Sequence, residues 1–536
     1  MTVSHLVPKI HSGFGLPFKL MRNGTEYTLL VNDYGAIVKQ KERFLYLSLT
    51  FLLLTGCSEN ERPIPTEPAP VSPATKALES SQGFKTELEE TRARADTGEA
   101  ESQFNLALQY ALGRGIPQDY TEAVRWFRLA ADQNYALAQY KLGEMYEKGQ
   151  GVPQAADEAV QLYLLAAEQG HVAAQCNLAM RYLSGDGVPQ DELEAARLFR
   201  NTAELGVATS CYNLAQMYNT GRGVKQDLAV AYKLYLQAAE LGDPSAQYNL
   251  AIMHRIGRGV PQDDTKTVKW LRVAAEQGYV AGQYGLGIMY EEGLGVPEDL
   301  VEAYKWFLMA AEQRHAKAQY AVALMHYNGQ AVVRDFITAA KWHRLAAEQG
   351  YVESQYELGL AYLNGEGVAK DAVEAFKWHQ MAAQQGSSEA QFSLSVMYDK
   401  GEGVPADVLE RFKWCELAAQ QEHPQARYQL GLMYANGQGV PLDYSKALEM
   451  FQLAGEQGSV RAQREVGFIY AEGKGVPVDE IEGFAWLSLA AAAGSEDVKQ
   501  EETRAVLKKS LEATQALIAA QRRANELFEK YRQPSQ

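Results

Sequence analysis

The stretch GQYGLGIMYEEGLGVPEDLVEAYKWFLMAAEQRHAK, residues 282–317, decides the fold of this chain, because ten other stretches of equal length repeat its pattern without insertion or deletion. The eleven copies run from Ser102 to Asp497, and each is 36 residues long. Self-similarity at such a period is the signature of an array in which every copy is one supersecondary unit. Positions are numbered 1 to 36 within a copy, with Ser102 at position 1 of the first.

Each copy begins with a predicted helix that ends in a glycine-rich turn. This first helix has small or apolar residues at positions 1, 5, 8, 9 and 12, which in the sixth copy are Gly282, Leu286, Met289, Tyr290 and Gly293. Their spacing is that of an apolar stripe on a helix. Glycine at position 12 of every copy predicts that the first helix ends in a left-handed residue.

A second helix is predicted after the turn. Proline at position 16, as in Pro297, blocks its backward extension, and aspartate at position 18, as in Asp299, caps its free N–H groups. Where glutamate follows three residues later, as Glu302 does, the pair predicts a capping box. All seven tryptophans fall at position 25, which predicts a core position: Trp126, Trp270, Trp306, Trp342, Trp378, Trp414 and Trp486.

The string AQYxLGxMYxxGxGVPxD, the A-x-x-W step and the closing AAEQG resemble the Sel-1-like repeat family, a relative of the tetratricopeptide repeats, over about three quarters of the chain. The resemblance implies an all-α fold, a right-handed α-solenoid whose inner face holds a peptide or partner protein. It implies no catalytic residue, because the family motif is structural throughout. We then interpret residues 102–497 as eleven repeats and residues 78–101 as a helical lead-in. Residues 498–536 are predicted to be capping helices and a tail, because a terminal repeat needs a polar cover.

A second informative segment lies before the repeats. Lys39, Lys41 and Arg43 precede the apolar run FLYLSLTFLLL, residues 44–54, which is typical of a secretory signal and too short to span a bilayer of about 30 Å. The string Leu-Thr-Gly-Cys at residues 54–57 resembles the lipobox of bacterial lipoproteins, which implies that Cys57 is acylated and becomes the first mature residue. We therefore expect a lipoprotein signal peptide over residues 38–57.

The flanks of this signal extend the interpretation. Residues 58–77 are rich in Pro, Ser, Thr and Glu and predict a disordered tether between membrane and repeats. Residues 1–37 fit no part of the scheme, and we interpret them as an extension created by a start codon placed too early, with translation beginning at Val38. In bacterial lipoproteins an aspartate directly after the acylated cysteine resembles inner-membrane retention. This chain has Ser58 at that place, which favours a lipid-anchored protein on the periplasmic side of the bacterial outer membrane. A periplasmic or secreted protein is the alternative.

Charge excludes one class of partner. After Cys57 the chain has 45 Lys and Arg against 64 Asp and Glu, a net charge of about −19. Nucleic acid needs clustered Lys and Arg for its phosphates, so nucleic-acid binding is not expected. An acidic surface is compatible with basic partners, although it also keeps a long array soluble.

Two sets of candidate ligands are interpreted as structural. His343, His379 and Cys415 share position 26 in successive copies, but residues one copy apart are too distant to meet one metal ion. Position 26 is mostly aromatic elsewhere, so we predict packing there and no metal or cofactor. Cys176 and Cys211 lie on neighbouring first helices, whose usual spacing of about 8–10 Å exceeds the reach of a disulfide. Three buried free thiols are expected, with a bridge from Cys176 to Cys211 as the alternative.

The candidate partner-binding residues lie at position 3 of the first helix, which points away from the apolar stripe. This position is aromatic in nine copies, and its tyrosines are Tyr140, Tyr212, Tyr248, Tyr284, Tyr320, Tyr356 and Tyr428. Tyrosines are enriched at interfaces, so they can line a groove. They can equally belong to the packing of the repeat itself, and the sequence leaves both interpretations open.

The predicted function is a non-enzymatic scaffold or adaptor for other proteins at the cell envelope, in assembly, secretion, polysaccharide export or signalling. The alternative, a cell-wall or β-lactam hydrolase, is implied only by cysteine-rich relatives of the family. One seam of the array is expected to be weak, because Arg314 and Ala331 replace glycines that most copies keep.

Overall fold

The computed structural model describes residues 18–22, 25–29, 81–494 and 497–532. The predicted signal peptide over residues 38–57, its Cys57, and the tether over residues 58–77 lie outside the described residues. Strands β1, Phe18–Arg22, and β2, Thr25–Leu29, pair antiparallel with Phe18 opposite Leu29. This hairpin lies within residues 1–37, and the sequence pattern did not predict it.

From Ser81 onward the described chain is helical, which confirms the predicted fold class. Helix α1, Ser81–Asp96, precedes the repeats. The copies then contribute one pair of helices each, in chain order: α2 Ala100–Leu112 and α3 Tyr120–Asp132; α4 Ala136–Lys148 and α5 Ala156–Glu168; α6 Val172–Ser184 and α7 Glu192–Glu204; α8 Ala208–Thr220 and α9 Leu228–Glu240; α10 Pro244–Ile256 and α11 Asp264–Glu276; α12 Val280–Glu292 and α13 Leu300–Glu312; α14 Ala316–Asn328 and α15 Phe336–Glu348; α16 Val352–Asn364 and α17 Ala372–Gln384; α18 Ser388–Lys400 and α19 Val408–Gln420; α20 Pro424–Asn436 and α21 Tyr444–Glu456; α22 Val460–Glu472 and α23 Glu480–Ala492. Helices α24, Val498–Ala513, and α25, Leu517–Arg532, follow. Within the described ranges no helix has both the length and the apolar composition needed to cross a bilayer.

The helices fall into two compact units, one ending at Asp191 and the other beginning at Glu192. In the first unit each helix from α1 to α6 packs against its neighbour in sequence, and in the second the same order runs from α7 to α23. Packing of nearest neighbours alone is what an α-solenoid requires. The right-handed sense of the array stays a prediction.

The largest buried side chains of the second helices lie at position 26 rather than position 25. Tyr163, Tyr235 and Phe307 are at most 1 % exposed, whereas four of the seven tryptophans are only half-buried. Each position-26 ring needs a small residue at position 6 of the same copy. A Cβ on Gly287, for example, would lie 2.5 Å from Cδ1 of Phe307. The tryptophan prediction is therefore confirmed only in part, since Trp126, Trp414 and Trp486 alone are buried.

The caps explain why the helices begin and end where they do. Gly293 ends α12 with φ of 67°, and Asp299 Oδ1 accepts hydrogen bonds from the N–H groups of Val301 and Glu302 at 3.0 and 3.1 Å. The reciprocal half of the predicted capping box is absent here. The N–H of Asp299 donates instead to the carbonyl oxygen of Tyr290 at 2.9 Å, which leaves the Glu302 carboxylate to pair with Lys305.

Buried glutamines connect successive copies in a regular ladder. Nε2 of Gln283, at position 2, donates to the carbonyl oxygen of Ala275 in the copy before it at 3.2 Å. Oε1 of the same Gln283 accepts from Nε2 of Gln313, at position 32 of its own copy, at 2.8 Å. Six further copies have the second bond, between the pairs Gln133 and Gln103, Gln169 and Gln139, Gln277 and Gln247, Gln349 and Gln319, Gln385 and Gln355, and Gln421 and Gln391.

The last repeat is covered by the two C-terminal helices. Leu507 and Leu511 of α24 are buried in one cluster with Phe468 and Leu487, and Leu527 of α25 is buried beside Trp486. These contacts give the final pair of helices the neighbour that an array otherwise lacks at its end.

The expected weak seam has measurable backbone strain. Arg314 and Ala331 both have positive φ, 66° and 60°, a conformation in which residues with a Cβ are strained. At the same position of the neighbouring copies, a Cβ on Gly295 or Gly367 would collide with the backbone of Asp264 or Phe336. Ala331 has that Cβ, so this turn cannot approach its neighbour as closely.

We expect Ala331→Gly to stabilise the seventh copy by about 1 kcal/mol, because glycine removes the strain at positive φ. Gly295→Ala, the opposite change at the same position of the sixth copy, should destabilise the array by more than that. Hydrogen exchange of residues 329–335 and urea unfolding measure both effects. A neutral or destabilising Ala331→Gly would contradict the assignment of strain.

Candidate protein-binding face

The predicted position-3 tyrosines are less exposed than a free groove would make them. Tyr140 in the first unit is 4 % exposed, and the six in the second unit are half-buried. Each ring packs on one side against other rings. Tyr284 lies 5.6 Å from Phe307 and 4.7 Å from His315, and Tyr320 lies 5.3 Å from Tyr351, measured between ring centroids.

These contacts support the packing interpretation of the tyrosines and leave the groove interpretation open. One side of each ring belongs to the packing of the repeat, between the residues at positions 26 and 34. The second-unit tyrosines are only half-buried, so part of each residue stays accessible to solvent. Their role in binding a partner stays a prediction.

Carboxylates lie near two consecutive position-3 tyrosines, Tyr284 and Tyr320. Burial raises the pKa of Tyr248 to about 12. The pKa of Tyr284 is raised by burial first and then by the charge of Glu291, with Glu353 contributing as well. Burial followed by Glu357 and Glu353 raises the pKa of Tyr320. We call this set the tyrosine face: Tyr248, Tyr284, Tyr320 and Tyr356 with Glu291, Glu353 and Glu357.

Charge matching on this face is incomplete at Glu291. Burial raises the pKa of the Glu291 carboxyl to about 7, and the adjacent Glu292 adds to the shift. Arg255 pairs with Asp264 at 3.3 Å and with Glu292, the neighbour of Glu291 in sequence, at 3.9 Å. Sequence analysis did not single out Glu291 or Glu353, although both belong to the same first helices as the predicted tyrosines.

Three histidines at position 34 cap the first helix that follows them. Nδ1 of His171, His315 and His423 accepts the N–H of the third residue beyond at 3.1 to 3.2 Å. An imidazole accepts through Nδ1 only when that nitrogen is unprotonated. Burial lowers the pKa of His315 to about 4, and it also lowers the pKa of His171 and of His423.

The position-26 residues that could be mistaken for ligands are packing groups. His343 is 3 % exposed and lies 5.7 Å from the Tyr320 ring, and His379 is fully buried 5.4 Å from the Tyr356 ring. Sγ of Cys415 donates to the carbonyl oxygen of Ala426 at 3.3 Å. Within the described ranges no three His, Cys, Asp or Glu side chains are arranged to hold a metal ion. Cys176, Cys211 and Cys415 are buried thiols, which confirms the cysteine prediction.

The repeat unit and its caps match a known family without a gap. The Sel1 repeat profile matches eleven consecutive segments: residues 100–135, 136–171, 172–207, 208–243, 244–279, 280–315, 316–351, 352–387, 388–423, 424–459 and 460–495. The chain belongs to the Sel1 repeat family. A Sel1 array is a scaffold fold whose typical role is protein–protein interaction.

Two solved structures are similar to this Sel1 repeat protein. A protective antigen present in uropathogenic Escherichia coli strains, which displays an SLR fold, is 34 % identical, covers 83 % of this chain and 95 % of its own, and has a TM-score of 0.70. A Sel1 repeat protein from Oxalobacter formigenes is 28 % identical over 72 % of this chain and 99 % of its own, with a TM-score of 0.38. No curated protein matches the sequence.

Acid should loosen the histidine caps of this Sel1 array. A histidine whose pKa is lower in the folded state binds fewer protons there, so stability is present above the unfolded pKa of about 6.5 and is lost as pH falls toward the folded value. For His315 this window runs from about 6.5 down to about 4. Each lost cap should cost about 1 kcal/mol.

Urea unfolding at several pH values in this window measures the effect. Ser387 and Ser459 make the same cap with a hydroxyl that does not titrate, so His315→Ser is a matched variant. It should unfold with a shallower pH dependence than the wild type. Identical slopes for the two proteins would contradict the cap assignment.

Tyrosine packing can be separated from tyrosine binding by two triple variants. Replacing Tyr248, Tyr284 and Tyr320 by Ser removes the ring contacts and should cost about 1–3 kcal/mol for each ring. Replacing the same three by Phe keeps the rings and should leave the melting temperature nearly unchanged. Circular dichroism melting measures both, and an unchanged melting temperature for the Ser variant would show that the rings contribute no packing.

Proposed function

We propose that this Sel1 repeat protein is a non-enzymatic scaffold or adaptor that holds partner proteins at the bacterial cell envelope. The tyrosine face is the observation that supports this role most strongly. Half-buried aromatic rings are already held by the core, so little side-chain entropy is lost when a partner covers their open side. Carboxylates beside the rings add polar contacts, as in the rim of an ordinary protein interface.

Anchoring at the envelope is supported by the sequence that precedes the repeats. Basic residues, a short apolar run and the Leu-Thr-Gly-Cys string favour acylation of Cys57, and residues 58–77 would hold the array away from the membrane. The Escherichia coli relative is a protective antigen, and exposure to a host's immune system is compatible with an exported protein. We place the scaffold on the periplasmic side of the outer membrane, with periplasmic or secreted protein as the alternative.

The rival hydrolase function has no observation in its favour. The titratable side chains that the structure buries in the repeats, such as His343, His379 and Cys415, pack against the neighbouring first helix. The family motif is structural throughout and implies no catalytic residue. The proposal therefore contains no catalytic step.

The scaffold role is tested by capture from membranes solubilised in detergent. Full-chain protein should recover partner proteins in stoichiometric amounts, and the triple Phe variant at Tyr248, Tyr284 and Tyr320 should recover less of them at equal melting temperature. The control is the double variant Tyr163→Phe with Tyr235→Phe, because these two buried hydroxyls do not lie on the tyrosine face. Capture that is equal for all variants would remove the face from the proposal.

Lipid anchoring depends on a single thiol. Cys57→Ser should abolish acylation and move the protein from the membrane fraction to the soluble fraction, because each buried CH₂ of an acyl chain contributes about 0.8 kcal/mol to membrane partition. Expression from Val38 should yield the same mature protein by mass spectrometry as expression of the full frame. Complete membrane retention of Cys57→Ser in high salt would refute the anchor.

A further inference from the structure

Three consecutive second helices of the second unit expose apolar side chains at the same two positions. On α13, α15 and α17 these are positions 20 and 28, and the six side chains are each between 43 and 57 % exposed. We call this set the second-helix patch: Val301, Met309, Ile337, Leu345, Val373 and Met381. Exposed apolar residues that recur in neighbouring copies mark a surface that contacts another molecule.

The repeat fold does not require apolar residues at these positions. Position 20 is Thr121 in the first copy and Asp157 in the second, and position 28 is Asn201 in the third copy and Gln237 in the fourth. The helices that contain them, α3, α5, α7 and α9, have the same length of 13 residues as α13 and α15. The patch is therefore a property of the central copies that the core of the repeat does not explain.

A fixed order of charges runs along the exposed side of each of these helices. Lys341, Leu345 and Glu348 of α15 are exposed, and their spacing of four and three residues places them on one side of the helix. A lysine therefore lies before the apolar residue and an acid after it. Helices α13 and α17 repeat the order, with an acid or an amide at its end: Lys305, Met309 and Glu312, then Lys377, Met381 and Gln384.

The middle helix leaves both of its charges without an ion pair. In α13 and in α17 the lysine pairs with a glutamate at position 21 of its own helix. Position 21 of α15 is Thr338 instead, and within residues 81–494 and 497–532 neither Lys341 nor Glu348 forms an ion pair. Another molecule can pair with these two charges without breaking an existing ion pair.

This order of charges is complementary to itself when two copies of one helix lie antiparallel. With Leu345 of one protomer on Leu345 of a second, Lys341 lies about 6 Å from the crossing point along its helix, and Glu348 about 4.5 Å on the other side. Each Lys341 then faces Glu348 of the other protomer. Parallel helices would instead place lysine against lysine, which like charge disfavours.

Repetition makes a second copy of the chain a matching partner for all three helices at once. The spacing between copies is the same in both protomers, so contact at α15 also brings α13 onto α13 and α17 onto α17. The outward positions 20, 21, 24, 27, 28 and 31 of these helices supply about twenty residues, and a stable interface uses roughly 20–30 a side. A lipid surface fits less well, because Glu312 and Glu348 would face anionic headgroups.

We propose that the second-helix patch is the contact between two copies of this chain, related by a two-fold axis that runs along the stack of central copies. Each second helix packs antiparallel on its own counterpart, as the symmetry of an isologous dimer requires. Leu345 lies at the axis, and two pairs of Lys341 with Glu348 flank it. The dimer is independent of the binding role of the tyrosine face, which lies on first helices.

Sedimentation velocity of full-chain protein with Cys57→Ser, which cannot be acylated, measures self-association. This parent protein should form a dimer. Leu345→Asp should weaken the dimer more than tenfold, and Lys341→Glu or Glu348→Lys alone should weaken it roughly tenfold, because each places like charges opposite one another. Lys341→Glu with Glu348→Lys restores opposite charges and should return the affinity to the parent value. Equal melting temperatures exclude loss of fold as the cause.

Cysteine cross-linking in the same parent tests the position of the axis. Leu345→Cys should form a disulfide with its own counterpart after oxidation with copper phenanthroline, because the two residues meet at the axis. The native thiols Cys176, Cys211 and Cys415 are buried. Ile337→Cys is the matched control. It is exposed on the same helix but lies about 12 Å from the axis, so that its counterpart is beyond the reach of a disulfide.

Four outcomes overturn the inference. They are a monomer at every concentration, a dimer that Leu345→Asp leaves unchanged, a double charge variant that stays as weak as the single ones, and equal cross-linking at Ile337→Cys and Leu345→Cys. A monomer that sediments with vesicles of phosphatidylethanolamine and phosphatidylglycerol, and loses this property in Leu345→Asp, would identify a lipid surface as the occupant and overturn it too. The scaffold function stands apart from these results, because capture from membranes tests it with the tyrosine variants.

Discussion

The buried glutamine ladder is the interaction on which the regularity of the array depends. A second helix ends with carbonyl groups that have no partner within the helix, and a buried polar group without a hydrogen bond costs about 1–3 kcal/mol. Nε2 of Gln283 donates a hydrogen bond to such a carbonyl oxygen in the preceding copy, and Nε2 of Gln313 donates to Oε1 of Gln283. Because both residues must lie at fixed positions, an inserted or deleted residue would leave two buried amides unpaired. In the seven copies that have the Gln–Gln bond, this constraint favours a constant length of 36 residues, and the packing of position 26 against small residues at position 6 acts in the same direction.

The ladder is interrupted where its residues change, and the interruptions differ in kind. Leucines at 205 and 241 replace the position-32 glutamine, and Cys211 makes the bond to the carbonyl of Ala203 through sulfur at 3.7 Å. Gln237 compensates by donating to the same carbonyl at 3.2 Å. In the last copy Ala493 stands at position 32, and Oε1 of Gln463 is buried without a partner. Local energies in an array are not shared by distant copies, so each interruption lowers stability only around itself.

The same constraints determine where a partner can be recognised. Positions 1, 2, 5 and 6 of the first helix are occupied by packing and by the ladder, and position 3 combines ring packing with partial exposure in the second unit. The aromatic residues of the tyrosine face lie at position 3 of four consecutive copies, whereas its carboxylates lie at position 10 for Glu291, position 36 for Glu353 and position 4 for Glu357. Its rings are held from behind by residues at positions 26 and 34, so the face is rigid before a partner arrives. A scaffold built in this way changes its specificity through a few side chains while its backbone stays the same.

The sequence by itself determined the repeat length, the end of the first helix, the start of the second helix and the family, because glycine at position 12, aspartate at position 18 and the apolar stripe act within a few residues of chain. Tertiary structure alone decided the rest. Gln283 and Gln313 are thirty residues apart in the chain and meet only when two helices pack, so the ladder left no local signal. The tyrosines were singled out from the sequence as a set, but only the packed structure shows that the Tyr284 ring lies against the ring of His315. Glu291 and Glu353 act on one tyrosine from different helices, and no pattern along a single helix brings such charges together.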